Sequence, residues 1–202
     1  NVPVTGIRQI NPTTVEVLYG NGKLLTLDFY GKNIFRVFQD PDGGIIRDPK
    51  SNPPAKILVD TPRHDVGALE VTEDDKTVAV ATAEIKVSFD RHSGLMSVTD
   101  LRNGKVVAEE TKEVNFGKGR TTFSLRNHDD EYFYGGGVQN GRFSHRGKRI
   151  EIVNTNSWTD GGVASPAPFY WSTKGYAAMP YTFKPGEYDF GSTDKSTVTL
   201  TH

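Results

Sequence analysis

Cysteine is absent from this chain of 202 residues, which excludes disulfide frameworks, thiolate zinc sites and cysteine nucleophiles. That absence suits a cytoplasmic protein and a bacterial exported one alike, so it leaves the compartment open, with a periplasmic or secreted location favoured. Charge of one sign is also lacking. The formal net charge is -1, and the densest basic run, His145-Arg146-Gly147-Lys148-Arg149, is too short to form a stripe. Neither nucleic acid nor an anionic membrane is therefore an expected partner. No apolar run approaches the ~18 residues needed to span a bilayer. The N-terminal Asn1-Val2-Pro3-Val4 has neither an initiator methionine nor the form of a signal peptide, and reads as a trimmed end. The final Leu200-Thr201-His202 falls inside an alternating pattern, as in a chain cut from a longer one. The five histidines, His64, His92, His128, His145 and His202, include no pair at i+2 or i+4, so zinc hydrolysis is not expected, nor is any metal or cofactor.

A helical period is missing too, and alternation with a period of two takes its place. Val15, Val17 and Tyr19 alternate with polar neighbours, Asn21-Gly22 supplies a type I′ hairpin turn, and Leu25, Leu27 and Phe29 resume. Ile34-Phe35-Arg36-Val37-Phe38 follows the turn at Gly31-Lys32-Asn33. Residues 39–54, with four prolines, read as a long surface loop. Strands are expected at 78–82, 84–89 and 95–100, separated by turns at Ser93-Gly94 and Asn103-Gly104. More are expected at 121–125, around Phe133, and at 197–200. Short strands joined by Gly, Asn and Asp turns, with no helices between them, predict an all-β fold, an antiparallel β-sandwich. The 21 glycines agree, since turns and bulges need positive φ.

The segment 132–190 is richer in aromatics, glycines and side-chain amides than anything before it. It contains Phe133-Tyr134-Gly135-Gly136-Gly137-Val138-Gln139-Asn140, Asn154-Thr155-Asn156-Ser157-Trp158-Thr159-Asp160-Gly161-Gly162 and Pro168-Phe169-Tyr170-Trp171. Such a mixture suits a surface that stacks on flat rings and hydrogen-bonds their edges, as sugar binding requires. Gly135-Gly136-Gly137 lacks the Gly-Lys-Ser/Thr ending of a phosphate loop and precedes no helix. It reads instead as backbone thinned for close approach to a neighbouring strand or a ligand. His145 reads as a polar histidine at a strand edge. The acidic run His128-Asp129-Asp130-Glu131 reads as a polar loop with nothing apolar around it. Asp160 and Glu187 lie within the aromatic-rich segment, but a glycosidase pair needs two carboxyls about 5 to 10 Å apart with one held protonated, and no such pair is evident. Trp171, inside the alternating Phe169-Tyr170-Trp171, is expected in the core or half-core. Trp158, in a loop between hydrogen-bonding residues, is the better candidate for ligand contact.

These motifs resemble the N-terminal domain of glycoside hydrolase family 31, which holds α-glucosidases, α-xylosidases, α-galactosidases and related transglycosylases. The resemblance rests on Phe133-Tyr134-Gly135-x-Gly137, Asn154-Thr155-Asn156, Pro168-Phe169 with Gly175-Tyr176, and Lys184-Pro185-Gly186-Glu187-Tyr188-Asp189-Phe190. The run from Gly135 to Phe143 is similar to that of bacterial members. The resemblance implies a galactose-mutarotase-like β-supersandwich over residues 1–202. A catalytic (β/α)8 barrel carrying both catalytic aspartates is then expected C-terminal to residue 202, leaving no catalytic residue in this chain. It implies that a loop of the domain reaches over the barrel mouth, which gives a substrate-contact role to Asn156, with Ser157, Trp158 and Asp160 beside it. Many relatives have aspartate at Asn156 and Gly-Leu-Gly-Glu where this chain has Gly135-Gly136-Gly137-Val138-Gln139. An amide both donates and accepts whereas a carboxylate only accepts, so α-galactoside or branched α-glucan substrates stay open beside α-glucosides.

The leading expectation is thus a non-catalytic domain of a retaining α-glycosidase. Its partners would be an oligosaccharide or α-glycoside substrate and the barrel of the same polypeptide. An independent carbohydrate-binding module is the alternative. A free-standing aldose epimerase would need a histidine and a carboxylate converging on the sugar, and His145 with Asp160 is the one plausible pair.

Overall fold

A computed structural model describes residues 1–39, 65–117, 120–139, 144–153, 163–180 and 185–202. Among these there is no helix, and every strand pairing is antiparallel. The chain divides into two compact units, Asn1–Val106 and Val107–His202. The expected loop over residues 39–54 lies outside the described residues from 40 onward.

The first unit holds two antiparallel meanders. Strands β1 (Val4–Asn11), β2 (Thr14–Tyr19), β3 (Leu24–Gly31) and β4 (Ile34–Phe38) pair in sequence order. So do β5 (Glu70–Glu73), β6 (Thr77–Ala81), β7 (Ile85–Asp90) and β8 (Met96–Asp100). Alternation makes the core: Val15, Val17, Leu25, Leu27 and Phe29 from one meander, and Val78, Val80, Val87 and Phe89 from the other, are fully buried. The opposite face of β2 and β3 is buried as well, and its polar side chains are paired. Thr14 Oγ1 donates to Asp28 Oδ1 at 2.9 Å, and Arg8 reaches Glu16 Oε2 at 2.6 Å. Tyr19 Oη donates to the Gly94 carbonyl at 3.0 Å, tying the β2 end to the β7–β8 turn.

The β2–β3 hairpin differs from the expected two-residue type I′ turn. Tyr19 N bonds Lys23 O at 3.0 Å and Gly22 N bonds Tyr19 O at 3.0 Å, which closes a three-residue loop. Gly22 supplies the left-handed position at φ +84°. Gly20, Asn21 and Gly22 form the loop, and a type I turn followed by a left-handed residue is the usual solution for that length.

Gly94 has φ +75°, and a Cβ placed on it would strike the Val2 carbonyl oxygen and lie 2.9 Å from Tyr19 Cε1. Gly94→Ala is therefore expected to destabilise the first unit by about 2–4 kcal/mol through combined backbone strain and overpacking. Urea unfolding followed by circular dichroism measures it; a change within experimental error would contradict the close approach.

In the second unit, β9 (Lys105–Gly117), β10 (Arg120–Arg126), β12 (Arg149–Ile152), β15 (Gly186–Phe190) and β16 (Thr197–Thr201) lie in the order β12-β15-β16-β10-β9. A three-stranded sheet, β11 (Phe133–Gln139), β13 (Val163–Ser172) and β14 (Tyr176–Ala178), has the order β11-β13-β14. Their shared core is aromatic. Phe133, Tyr170, Tyr188 and Phe190 are fully buried, with Leu125, Ile150, Ile152, Val198 and Leu200 around them. Phe133 stacks on Phe190 at 4.9 Å, while Tyr170 meets Phe190 edge-on at 5.2 Å and Tyr188 at 5.8 Å. Each such pair adds roughly 0.5–1.5 kcal/mol beyond the area it buries.

Candidate functional site

The aromatic-rich segment is sorted by the parity of its strands. On β11 and β13, Phe133 and Tyr170 point into the core, while Tyr134, Phe169 and Trp171 point away from it. The register aligns Tyr134 with Trp171 and Phe133 with Ser172, and Trp171 with Ala177 of β14. Trp171 is 45% exposed, Phe169 46%, and Tyr132, just before β11, 47%. The Tyr134 and Trp171 rings stack at 4.5 Å. The expectation that Trp171 belongs to the core or half-core is therefore overturned. Tyr170 and Trp171 are adjacent on an extended strand, so only one can face inward, and the smaller ring with a hydroxyl partner takes that place.

Gly135, Gly136 and Gly137 all have positive φ, at +105°, +77° and +80°. Gly135 pairs with Tyr170 and Gly137 with Pro166, so β13 carries two more residues than β11 across this interval. The resulting bulge brings β13 close: a Cβ on Gly135 would sit 2.6 Å from Phe169 O and 2.8 Å from Tyr170 Cα. Thinned backbone for close approach is what the sequence suggested, and a neighbouring strand occupies the space. Tyr188 Oη donates to Pro168 O at 2.6 Å, which fixes the bulge from within. Phe169 is thereby held outward.

Among the described residues of this unit, the buried hydroxyls and ring nitrogens without a partner are Thr111 Oγ1 and His145 Nδ1. Tyr170 Oη and Tyr176 Oη share a hydrogen bond of 3.1 Å. Tyr188 gives its hydroxyl hydrogen to Pro168, so it accepts from His202 Nε2 at 3.1 Å. Burial pushes the ionisation of all three tyrosines far above the ordinary value of 10.0; nearby Tyr176 adds to this for Tyr170, and Tyr170 adds to it for Tyr188. His145 is 4% exposed, stacks on Phe190 at 5.7 Å and donates from Nε2 to the Gly135 carbonyl at 2.7 Å. Its Nδ1 has no hydrogen-bond partner. His145 is thus a core histidine bracing the glycine bulge, not a polar strand-edge residue, and Asp160, the carboxylate an epimerase would pair with it, lies outside the described residues.

Sequence reading missed Glu131, which it placed in an exposed polar loop. It is fully buried, with Oε2 3.3 Å from His128 Nδ1 and Oε1 without a partner. The available signal was parity, because Glu131 and Phe133 are two apart on one extended stretch and share the inward face. Arg146 clamps this stretch, its Nη1 donating to Asn127 Oδ1 at 3.0 Å, His128 O at 2.7 Å and Glu131 O at 2.5 Å. The other partly buried acids here are held by cations or backbone amides. Glu187 lies 3.5 Å from Arg149, and Asp189 accepts from Ser192 N at 2.6 Å. Asn156, Ser157, Trp158 and Asp160 lie outside the described residues. No group of residues able to hold a metal ion occurs among the described ones.

Antiparallel sheets around an aromatic core, with a second set of aromatics turned outward, define an all-β sandwich domain. Residues 24–189 match the glycosyl hydrolase 31 N-terminal galactose mutarotase-like domain, and the chain belongs to that family. The fold is similar to part of a family 31 dextranase from Flavobacterium johnsoniae, at 16% identity and TM-score 0.84 over 99% of this chain and 25% of the dextranase. It is also similar to part of the cycloalternan-forming enzyme of Listeria monocytogenes, at 17% identity and TM-score 0.80 over 99% of this chain and 19% of the enzyme. A third similarity is to a family 31 α-xylosidase from Xanthomonas citri, at 22% identity and TM-score 0.71 over 90% of this chain and 20% of the xylosidase. The chain thus spans 19 to 25% of the length of these enzymes.

Proposed function

We propose that this chain is the N-terminal, non-catalytic domain of a retaining α-glycosidase. In this reading it packs on a (β/α)8 barrel C-terminal to residue 202, and residues 154–162 form one wall of the sugar subsites. The observation that carries the reading is the family match across residues 24–189, which takes in that loop. Two neighbours are described in complex with sugars, the dextranase with isomaltotriose and the cycloalternan-forming enzyme with a pentasaccharide substrate. Supporting it from within the chain, Glu131, Glu187 and Asp189 are engaged by a histidine, an arginine and backbone amides, an arrangement suited to structure rather than to proton transfer.

The parent enzyme would work by double displacement through a covalent glycosyl intermediate, both carboxylates belonging to the barrel. The contribution of this domain is positioning and water exclusion. Asn156 can donate to one sugar hydroxyl and accept from another, Ser157 and Asp160 extend that edge, and Trp158 offers a ring face to the sugar. In the full polypeptide, Asn156→Ala with Trp158→Ala is expected to lower kcat/KM on an aryl α-glycoside roughly 10- to 100-fold by loosening substrate placement, with the melting temperature unchanged. Unaltered kcat/KM would remove the loop from the site.

A further inference from the structure

We propose that the outward face of β11, β13 and β14, centred on Tyr134, Phe169 and Trp171 with Tyr132 at its edge, is the surface by which this domain docks on the rest of its polypeptide. The proposal rests on the reading above and goes further by naming the face and the apolar character of its partner. Other exposed large hydrophobics among the described residues, Ile10, Ile34, Leu101 and Val106, come from strands and turns of the first unit and its boundary. Tyr132, Phe169 and Trp171 instead converge on two adjacent strands, each close to half exposed. At 150–250 Å² per aromatic side chain they present on the order of 200–350 Å² together, which reaches the lower end of the largest patches found on monomers, often functional ones.

The anatomy is that of an interface centre with a polar rim. Lys174 Nζ pairs with Asp130 Oδ1 at 2.6 Å beside the patch, and the Arg146 guanidinium lies 5.8 Å from the Tyr132 ring centre. Trp, Tyr and Arg are the residues that dominate binding energy at such centres. The patch is also rigid. The Gly135 contact and the Tyr188–Pro168 hydrogen bond hold the backbone of the bulge that presents Phe169, so little backbone ordering remains to be lost on docking.

Two observations favour a protein partner over a sugar. Tyr134 and Trp171 stack on each other, so each ring has one face already covered. The charged pair beside the patch, Lys174 and Asp130, is already joined, and a sugar edge would have to break it. A stable interface takes about 800 Å² from each partner, so the aromatics supply its centre and the surrounding strands its remainder. The neighbours are four to five times as long as this chain, which leaves ample polypeptide to cover it.

Hydroxyl-radical footprinting read by peptide mass spectrometry, on the 202-residue chain and on its full polypeptide without sugar, tests the surface. Labelling of Phe169 and Trp171 is expected to fall at least fivefold in the full polypeptide, with Ile10 labelled equally in both. Equal labelling of Phe169 and Trp171 in the two would overturn the proposal, and so would protection that arises only when isomaltotriose is added, which would make the face a sugar platform. Trp171→Glu provides a second readout: it removes the Tyr134 stack in both forms, so it should lower the melting temperature of the full polypeptide clearly more than that of the 202-residue chain, and equal shifts would count against docking. Hydrolysis of an aryl α-glycoside by the full polypeptide reports on the glycosidase reading separately. Activity with an unprotected Trp171 sinks this surface alone, and protection without activity sinks the glycosidase reading alone.

Discussion

Gly135→Ala is expected to destabilise the second unit by about 3–5 kcal/mol. Two costs add. The φ of +105° strains any residue with a Cβ, and the new methyl would lie 2.6 Å from Phe169 O and 2.8 Å from Tyr170 Cα. Both obstacles are backbone of the neighbouring strand, so neither can rotate aside. Relief would require β13 to retreat, which would withdraw Tyr170 from the aromatic core, or β11 to shift, which would disturb the His145 bond to the Gly135 carbonyl. Urea unfolding of the 202-residue chain should show the loss. Gly147→Ala is the control, because that glycine also has positive φ, at +70°, but has open space around its Cβ position. Equal effects at the two positions would show that backbone strain alone acts and that the close approach is unimportant.

The second large effect is alkaline. Burial raises the ionisation of Tyr170, Tyr176 and Tyr188 above the ordinary 10.0. Above about pH 10 the unfolded chain therefore releases protons that the folded chain retains, so stability falls as pH rises. The contribution of these neutral tyrosines is present in full below about pH 10 and is lost above it. Each accounts for about 1.4 kcal/mol per pH unit, and the three together for about 4 kcal/mol per unit. Against a total of roughly 5–15 kcal/mol for a domain, cooperative unfolding follows within a few units above pH 10. Tyrosinate absorbance and circular dichroism should change together at that point. Titration of all eight tyrosines near pH 10 with the dichroism intact would contradict the buried core.

The parts of this fold legible in sequence were those where alternation ran unbroken. The strand β7 shows Ile85, Val87 and Phe89 buried between exposed or half-buried neighbours, and β8 continues the pattern from Met96 to Val98. The 13-residue β9 was not legible. Its buried positions, Val107, Glu110 and Val114, are three and four apart, because register shifts against β10 break the period of two. Its middle, Glu109 to Glu113, also carries charges that strands disfavour. Trp171 and Glu131 failed for another reason. Hydrophobicity put the tryptophan inside and the carboxylate outside, while strand parity imposed the reverse in each case. Parity is fixed by geometry, and one side chain's preference for oil or water does not outweigh a whole strand's register. The glycine run was read correctly as thinned backbone because three successive residues without a Cβ have few other uses in a strand. The assignment of Asn156, Ser157, Trp158 and Asp160 to substrate contact rests on family resemblance and side-chain chemistry, not on periodicity, and these residues lie outside the described ones.

Glu131 and His145 show how the domain keeps polar groups inside. Glu131 is fixed by its inward parity and by the Arg146 clamp on its backbone. His145 braces the carbonyl of the residue whose missing Cβ makes the bulge possible. Both serve the geometry that turns Phe169 and Trp171 outward. The chemistry proposed for the parent enzyme is therefore expected to lie elsewhere.

Turnover of an aryl α-glycoside, measured side by side for the 202-residue chain and for the full polypeptide that contains it, tests that division of labour most directly. The account predicts hydrolysis with retention by the full polypeptide and none above background by the chain alone. Comparable turnover by the chain alone would contradict it.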